Sequence, residues 1–103
     1  MSAGKGRFDL ISPLVMMRFA KHFENGAKKY GDRNWEKGQP MSVFLDSAMR
    51  HTAKFLAGLR DEDHLAAAMW NLHAIMHFEE LYRGGDESIR PLMDLPWMPG
   101  APE

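Results

Sequence analysis

The sequence predicts an all-α fold, a small three-helix bundle completed by oligomerisation and followed by an extended, Pro-rich tail. Three observations carry this. Apolar residues recur at helical spacing in three segments, no stretch alternates as a half-buried strand does, and Gly and Pro clusters separate the segments. At 103 residues the chain is one domain by length. Residues 1–83 read as a single helical domain and 84–103 as the tail.

Each helix has its own start and stop signals. Ser12-Pro13 reads as an N-cap with Pro at the first helical position. The helix that follows, Leu14 to about Lys29, carries Val15, Phe19, Phe23 and Ala27 four residues apart. Tyr30 to Pro40 holds Gly31, Asp32, Asn34, Gly38 and Pro40 and cannot be regular. Ser42 is positioned to cap a second helix, Val43 to about Leu59, with Phe44, Ala48, His51, Phe55 and Leu59 on one face. Asp46, Arg50 and Lys54 form a second row one turn apart, suited to ion pairs. The third helix runs from about Glu62 to Tyr82 and ends at Gly84-Gly85. Its acidic start, Asp61-Glu62-Asp63, complements the helix dipole. In the tail, Pro91, Pro96, Pro99 and Pro102 interrupt Leu92, Met93, Leu95, Trp97 and Met98, residues apolar enough to wrap over the body or a neighbouring subunit.

Leu65 to Met76 is apolar over most of the third helix's circumference. Such a helix is buried on most sides, and two partner helices in one chain would hardly cover it. A homo-oligomer of dimer, tetramer or higher order is therefore expected, with pockets between subunits. Nine Met and eleven aromatic residues in so short a chain point the same way.

Composition also excludes. Thirteen basic and fourteen acidic residues leave a net charge of −1, so a nucleic-acid polymer is not the expected partner. Without cysteine there is no disulfide scaffold, thiolate zinc site or Cys nucleophile, which fits a reducing cytoplasm. No apolar run reaches the roughly 20 residues of a membrane span. Met1 to Gly6 lacks the apolar stretch of a signal peptide. There is no Walker or dinucleotide-type Gly-rich loop and no GxSxG elbow.

Four clusters carry chemistry. The loop Gly26 to Trp35 holds three cations (Lys28, Lys29 and Arg33), Asn34, Tyr30 and Trp35. Cations bind phosphate oxygens, an amide reads a base edge and aromatic rings stack a base, a set that suits a nucleotide. The same loop also suits a plain connection whose Trp plugs the core. Arg50-His51 sets a cation beside an imidazole on the apolar stripe of the second helix. Asp61, Glu62, Asp63 and His64 can hold Mg²⁺ or Mn²⁺, or simply cap a solvated helix start. Asn71 lies two turns after His64 on the same face. His73, His77 and Glu80 have zinc-binding spacing, and equally that of an interface face.

Gly6-Arg7-Phe8-Asp9-Leu10-Ile11, Gly26-Ala27-Lys28-Lys29-Tyr30-Gly31 with Asn34-Trp35, Arg50-His51, Glu62-Asp63-His64-Leu65 and Trp70-Asn71 together resemble a phage-borne family. It is the dATP/dGTP diphosphohydrolase N-terminal family, related to the all-α, MazG-like nucleotide pyrophosphatases. The resemblance runs from about Gly6 to Leu81. It implies a MazG-like helical bundle assembled as a dimer or tetramer. The implied place is the cytoplasm of an infected bacterial host. The implied reaction is metal-dependent hydrolysis of a purine (d)NTP to the monophosphate and pyrophosphate. Catalysis would fall to His51, Asp63 and His64, with Mg or Mn held by Asp61, Glu62, Asp63 and His64. Lys28, Lys29 and Arg50 would hold phosphates, and Tyr30, Asn34 and Trp35 the base, with Asn71 alongside. MazG-like enzymes hold their metals with ExxE and ExxD pairs, and neither occurs here. Two other readings therefore stand beside hydrolysis. One is a non-catalytic nucleotide sponge that sequesters a host cyclic nucleotide or related immune signal. The other is a helical assembly module.

Overall fold

The computed structural model describes residues 4–102; Met1 to Ala3 and Glu103, the outermost residues of the N-terminal stretch and the tail, lie outside it. Three α-helices carry the fold: α1 (Pro13–Tyr30), α2 (Met41–Leu56) and α3 (His64–Arg83). Short 3₁₀ helices lie at Phe8–Leu10, Asn34–Lys37 and Glu87–Leu92. The described residues contain no strand, and none of their helices is long and apolar enough to cross a membrane.

The helix ends show which signals act locally. Ser12 Oγ accepts from the Val15 N–H at 3.3 Å with Pro13 at the first helical position, as expected. The expected Ser42 cap is corrected. Pro40 is the N-cap and α2 begins at Met41. Ser42 lies inside the first turn, where its N–H and Oγ–H donate to Asp94 at 2.9 and 2.6 Å. A carboxylate from the C-terminal segment thus satisfies the orphan donor that a local side chain usually takes. α2 stops at Leu56, short of Leu59, because Gly58 turns the chain with φ +89°. α3 begins at His64, two residues later than expected. Asp63 is its cap, accepting from the Ala66 N–H at 3.1 Å. Asp61 and Glu62 lie in the loop before it.

The core forms where α2 lies on α3. Met41 and Phe44 meet Ala74, Ile75 and Phe78, and the Phe44 and Phe78 rings stack at 6.1 Å and 23°. Ala48 on α2 and Ala67 and Ala74 on α3 are buried small residues that allow close helix approach. The C-terminal segment completes this core rather than running extended. It forms the 3₁₀ helix Glu87–Leu92 and buries Ile89 and Met93. The prolines forbid a continued α-helix but not a short 3₁₀ turn. The Gly100 N–H donates to the Met93 carbonyl at 2.7 Å, in a space where a Cβ would lie 2.2 Å from the Arg90 carbonyl oxygen. Only glycine passes there.

α1 is held differently. None of its 18 residues is buried. It touches α3 through Phe19 and Phe23, whose rings meet His73 edge-on at 5.4 and 5.2 Å. The radius of gyration is 15.4 Å, against about 13 Å for a compact domain of this length. From Leu65 to Met76 α3 is apolar over most of its circumference, but its outer stripe, Leu65, Met69, Leu72 and Met76, is 38–65% exposed.

Candidate functional site

The gap between α1 and the α2–α3 pair is a cleft of about 1100 Å³. One wall comes from the second half of α1 and the loop after it, and the other from α2, α3 and the turn between them.

Trp35 is the fixed point of the loop wall. The 3₁₀ turn Asn34–Lys37 carries it, and its ring packs edge-on against His73 at 4.9 Å, His77 at 4.8 Å and Phe23 at 6.2 Å. Two backbone features hold that turn. Arg33 enters it with φ +57°, and Gly38 leaves it with φ +86° and its Cα side against Leu92 and Phe78. His73 and His77 are therefore flanks for the tryptophan. Glu80, the third member of that spacing, pairs with Arg83 at 2.8 Å instead. Burial, and beyond it the nearby His77, pushes the His73 pKa down, so the ring is neutral at pH 7.

Cations and amides line the same end. Lys29, Tyr30, Arg33, Asn34 and Trp35 all face the cleft, joined by Lys21 and Lys37. Lys28 and Arg50 do not line it. Arg50 pairs with Asp46 along the outer row of α2, the i, i+4 arrangement expected from the sequence. Asn71 lines the cleft floor but is 4% exposed. Its Nδ2–H group donates to the Ala67 carbonyl at 2.9 Å and to Ser47 Oγ at 3.2 Å, which ties α3 to α2.

At the other end His51, Glu62 and Asp63 line the cleft, while His64 and Asp61 lie behind them and do not. His51 from α2 and His64 from α3 place their Nδ1 atoms 2.9 Å apart. His64 Nε2 lies 2.8 Å from Asp61 Oδ1, and the His64 side chain is fully buried. Glu62 Oε1 lies 3.9 Å from His51 Nδ1. The donor atoms of His51, Glu62 and His64 all lie within 4.8 Å of one another, and no other group of three or more among the described residues does so. Burial pushes the His51 pKa down, against the pull of Glu62, so this imidazole is neutral at pH 7. The donor set fits a divalent cation: two imidazoles and a carboxylate, with open cleft beside His51 and Glu62.

Asp63 is placed beside this cluster but is engaged elsewhere. Arg18 of α1 grips it with two parallel bonds, 2.9 Å to Oδ2 and 2.6 Å to Oδ1, while Oδ1 also caps α3. The Arg18 guanidinium holds the Asp63 pKa down to about 2, against some opposing burial. The folded value lies below the ordinary 3.8. The pair thus contributes fully above about pH 4 and loses its contribution as pH falls through about 2. Arg18 is 57% and Asp63 36% exposed, so solvent screening keeps the pair's contribution to stability small. Urea unfolding of Arg18→Ala is expected to show that deficit at pH 6 and most of it gone near pH 2. An unchanged deficit at low pH would mean Arg18 acts through packing.

The sequence reading did not single out Arg18, Lys21, His22, Ser47, Trp70 or Gln39 as cleft residues, yet all line it. A signal for three of them was present. Arg18, Lys21, His22, Asn25 and Lys29 form one polar stripe on α1 at helical spacing, opposite its apolar residues.

A family model described as dATP/dGTP diphosphohydrolase, N-terminal, matches residues 1–88. No curated protein and no solved structure matches the chain.

Proposed function

The chain belongs to the dATP/dGTP diphosphohydrolase N-terminal family, and from that premise we propose that its cleft binds a purine (d)NTP and hydrolyses it to the monophosphate and pyrophosphate. One observation carries the reading. A single cleft joins the aromatic, amide and cation loop to His51 and Glu62 of the histidine–carboxylate cluster. Trp35 and Tyr30 offer planes to a base and Asn34 an amide to its edge. Lys29 and Arg33 offer donors to phosphate oxygens. His51, Glu62 and His64 would hold a divalent metal (Mg or Mn by the family resemblance), which when bound polarises phosphoryl oxygens and activates water. The setting is the cytoplasm of a phage-infected bacterium.

The test is incubation with dATP, dGTP, ATP or GTP, with and without Mn²⁺, and detection of pyrophosphate. Release dependent on the metal supports the reading, and silence with all four rejects it. Lys29→Ala with Arg33→Ala is expected to weaken nucleotide binding at least tenfold at low salt, with a smaller ratio at 1 M salt. An unchanged Kd at low salt would remove the loop from the site.

A second reading has its own support. Asp63 is committed to Arg18 and the α3 cap, and Asp46 lies on the outer row of α2. At the histidine end of the cleft this leaves Glu62 as the lining carboxylate not engaged by an arginine, few for triphosphate cleavage. The alternative is a sponge that holds a linear or cyclic nucleotide unchanged. Full recovery of intact nucleotide after heat denaturation supports it, and a cleaved product rejects it.

We also infer that the chain acts as a homo-oligomer. An 18-residue helix without a buried residue and a half-exposed apolar stripe on α3 support this. Between them runs an apolar groove of about 370 Å³, lined by Val15, Phe19, Leu65, Ala68, Met69 and Leu72.

A further inference from the structure

The chemistry of the His51–Glu62–His64 cluster goes beyond the presence of a divalent ion. We propose that this site selects a nitrogen-preferring transition metal, of the Zn²⁺ or Co²⁺ class, over Mg²⁺, and that Asp61 is the outer carboxylate that sets it. The proposal deepens the metal part of the nucleotide reading, but it concerns metal binding alone.

Two of the three donors are imidazoles. Mg²⁺ is a hard cation that takes oxygen donors and keeps its water, so a site built two-thirds from nitrogen is a poor one for it. Imidazole suits the borderline metals. Separation supports this. Two nitrogens each about 2.1 Å from one metal are about 3.4 Å apart at the tetrahedral angle and about 3 Å apart at right angles. The two Nδ1 atoms are 2.9 Å apart already. The carboxylate of Glu62 is the third donor and the cleft leaves the remaining positions to water or phosphate.

Asp61 decides which nitrogen of His64 is available. The His64 Nε2–H donates to Asp61 Oδ1 at 2.8 Å, so Nδ1 carries the lone pair and faces His51. Without metal, one hydrogen between the two Nδ1 atoms joins the rings. With metal, His51 needs only its other neutral tautomer, with the hydrogen on Nε2. A carboxylate behind a ligating histidine fixes ring orientation and raises donor strength. Burial of the His64 side chain adds rigidity, since the ring has no room to turn.

The experiment uses the full chain stripped with chelator and titrated with ZnCl₂, CoCl₂, MnCl₂ or MgCl₂ without nucleotide. Calorimetry reads affinity and visible absorption reads the Co²⁺ ligand field. One Co²⁺ or Zn²⁺ per chain is expected, at least a hundredfold tighter than Mg²⁺. His51→Ala and Glu62→Gln should each weaken it at least tenfold, and Asp61→Asn by about 10–100-fold. Circular dichroism checks folding, and exposed Glu62 keeps the test decisive if a histidine variant unfolds. Mg²⁺ binding as tight as Zn²⁺, or binding unchanged in Glu62→Gln, overturns the proposal. Tight Zn²⁺ binding with no nucleotide turnover would reject hydrolysis and leave the site assigned.

Discussion

Replacing Phe78 by alanine is expected to cost about 3–5 kcal/mol, the range for emptying a buried aromatic site. The total stability of a domain is about 5–15 kcal/mol, so the variant should be largely unfolded or close to it at 37 °C. Three contacts make the effect large. Phe78 is 1% exposed and stacks on Phe44, the main link between α2 and α3. It meets the Trp35 ring edge-on at 6.4 Å. Its ring tip also lies 3.4 Å from where a Cβ would stand on Gly38. One side chain therefore closes the core and seats the turn that forms the cleft's aromatic wall. Nucleotide binding should fall with stability, even though Phe78 does not line the cleft. Phe78→Leu keeps most of the volume and should lose much less. Urea unfolding and nucleotide affinity of both variants check this. A stability loss below about 1 kcal/mol in the alanine variant would show that the core closes without the ring.

How far the sequence spoke depended on the range of each interaction. The start of α1 was legible because Ser12, Pro13 and Val15 lie within one turn. The start of α2 was not, because its donors are met by Asp94, 52 residues away. Sequence distance hid this partner, and Ser42 offered a plausible local substitute. The tail shows the same limit. Its prolines argued for an extended chain, while Ile89 and Met93 were drawn into a core whose other half lies on α2 and α3. Asp61 to His64 was recognised as a cluster, but its members separate by role in space. Asp63 goes to Arg18, Asp61 stands behind His64, and His51 arrives from another helix. Spacing alone treats four neighbouring residues as equivalent donors.

Leu72→Glu is expected to convert the protein from an oligomer to a monomer. Leu65, Met69, Leu72 and Met76 recur at intervals of four, three and four residues, the spacing of a helix–helix seam. The seam itself carries no charge, so a second copy meets it without like-charge repulsion. A two-fold interface uses the same patch on both subunits. Antiparallel pairing of α3 would set the positive end of each helix dipole beside the negative end of the other. Every change on the seam then acts twice. A glutamate at position 72 would bring two carboxylates into an apolar contact with no partner, which costs several kcal/mol and exceeds what packing there returns. In the single chain Leu72 is 46% exposed, and glutamate is a good helix former, so the fold should survive. Light scattering after size exclusion, with far-UV circular dichroism beside it, reads both. Equal mass for variant and wild type, whether both are monomers or both oligomers, would mean that this stripe does not join subunits. If the variant is monomeric and metal titration is unchanged, the cleft's histidine cluster belongs wholly to one chain. If metal affinity falls with the mass, the second copy steadies α1 and α3 around it.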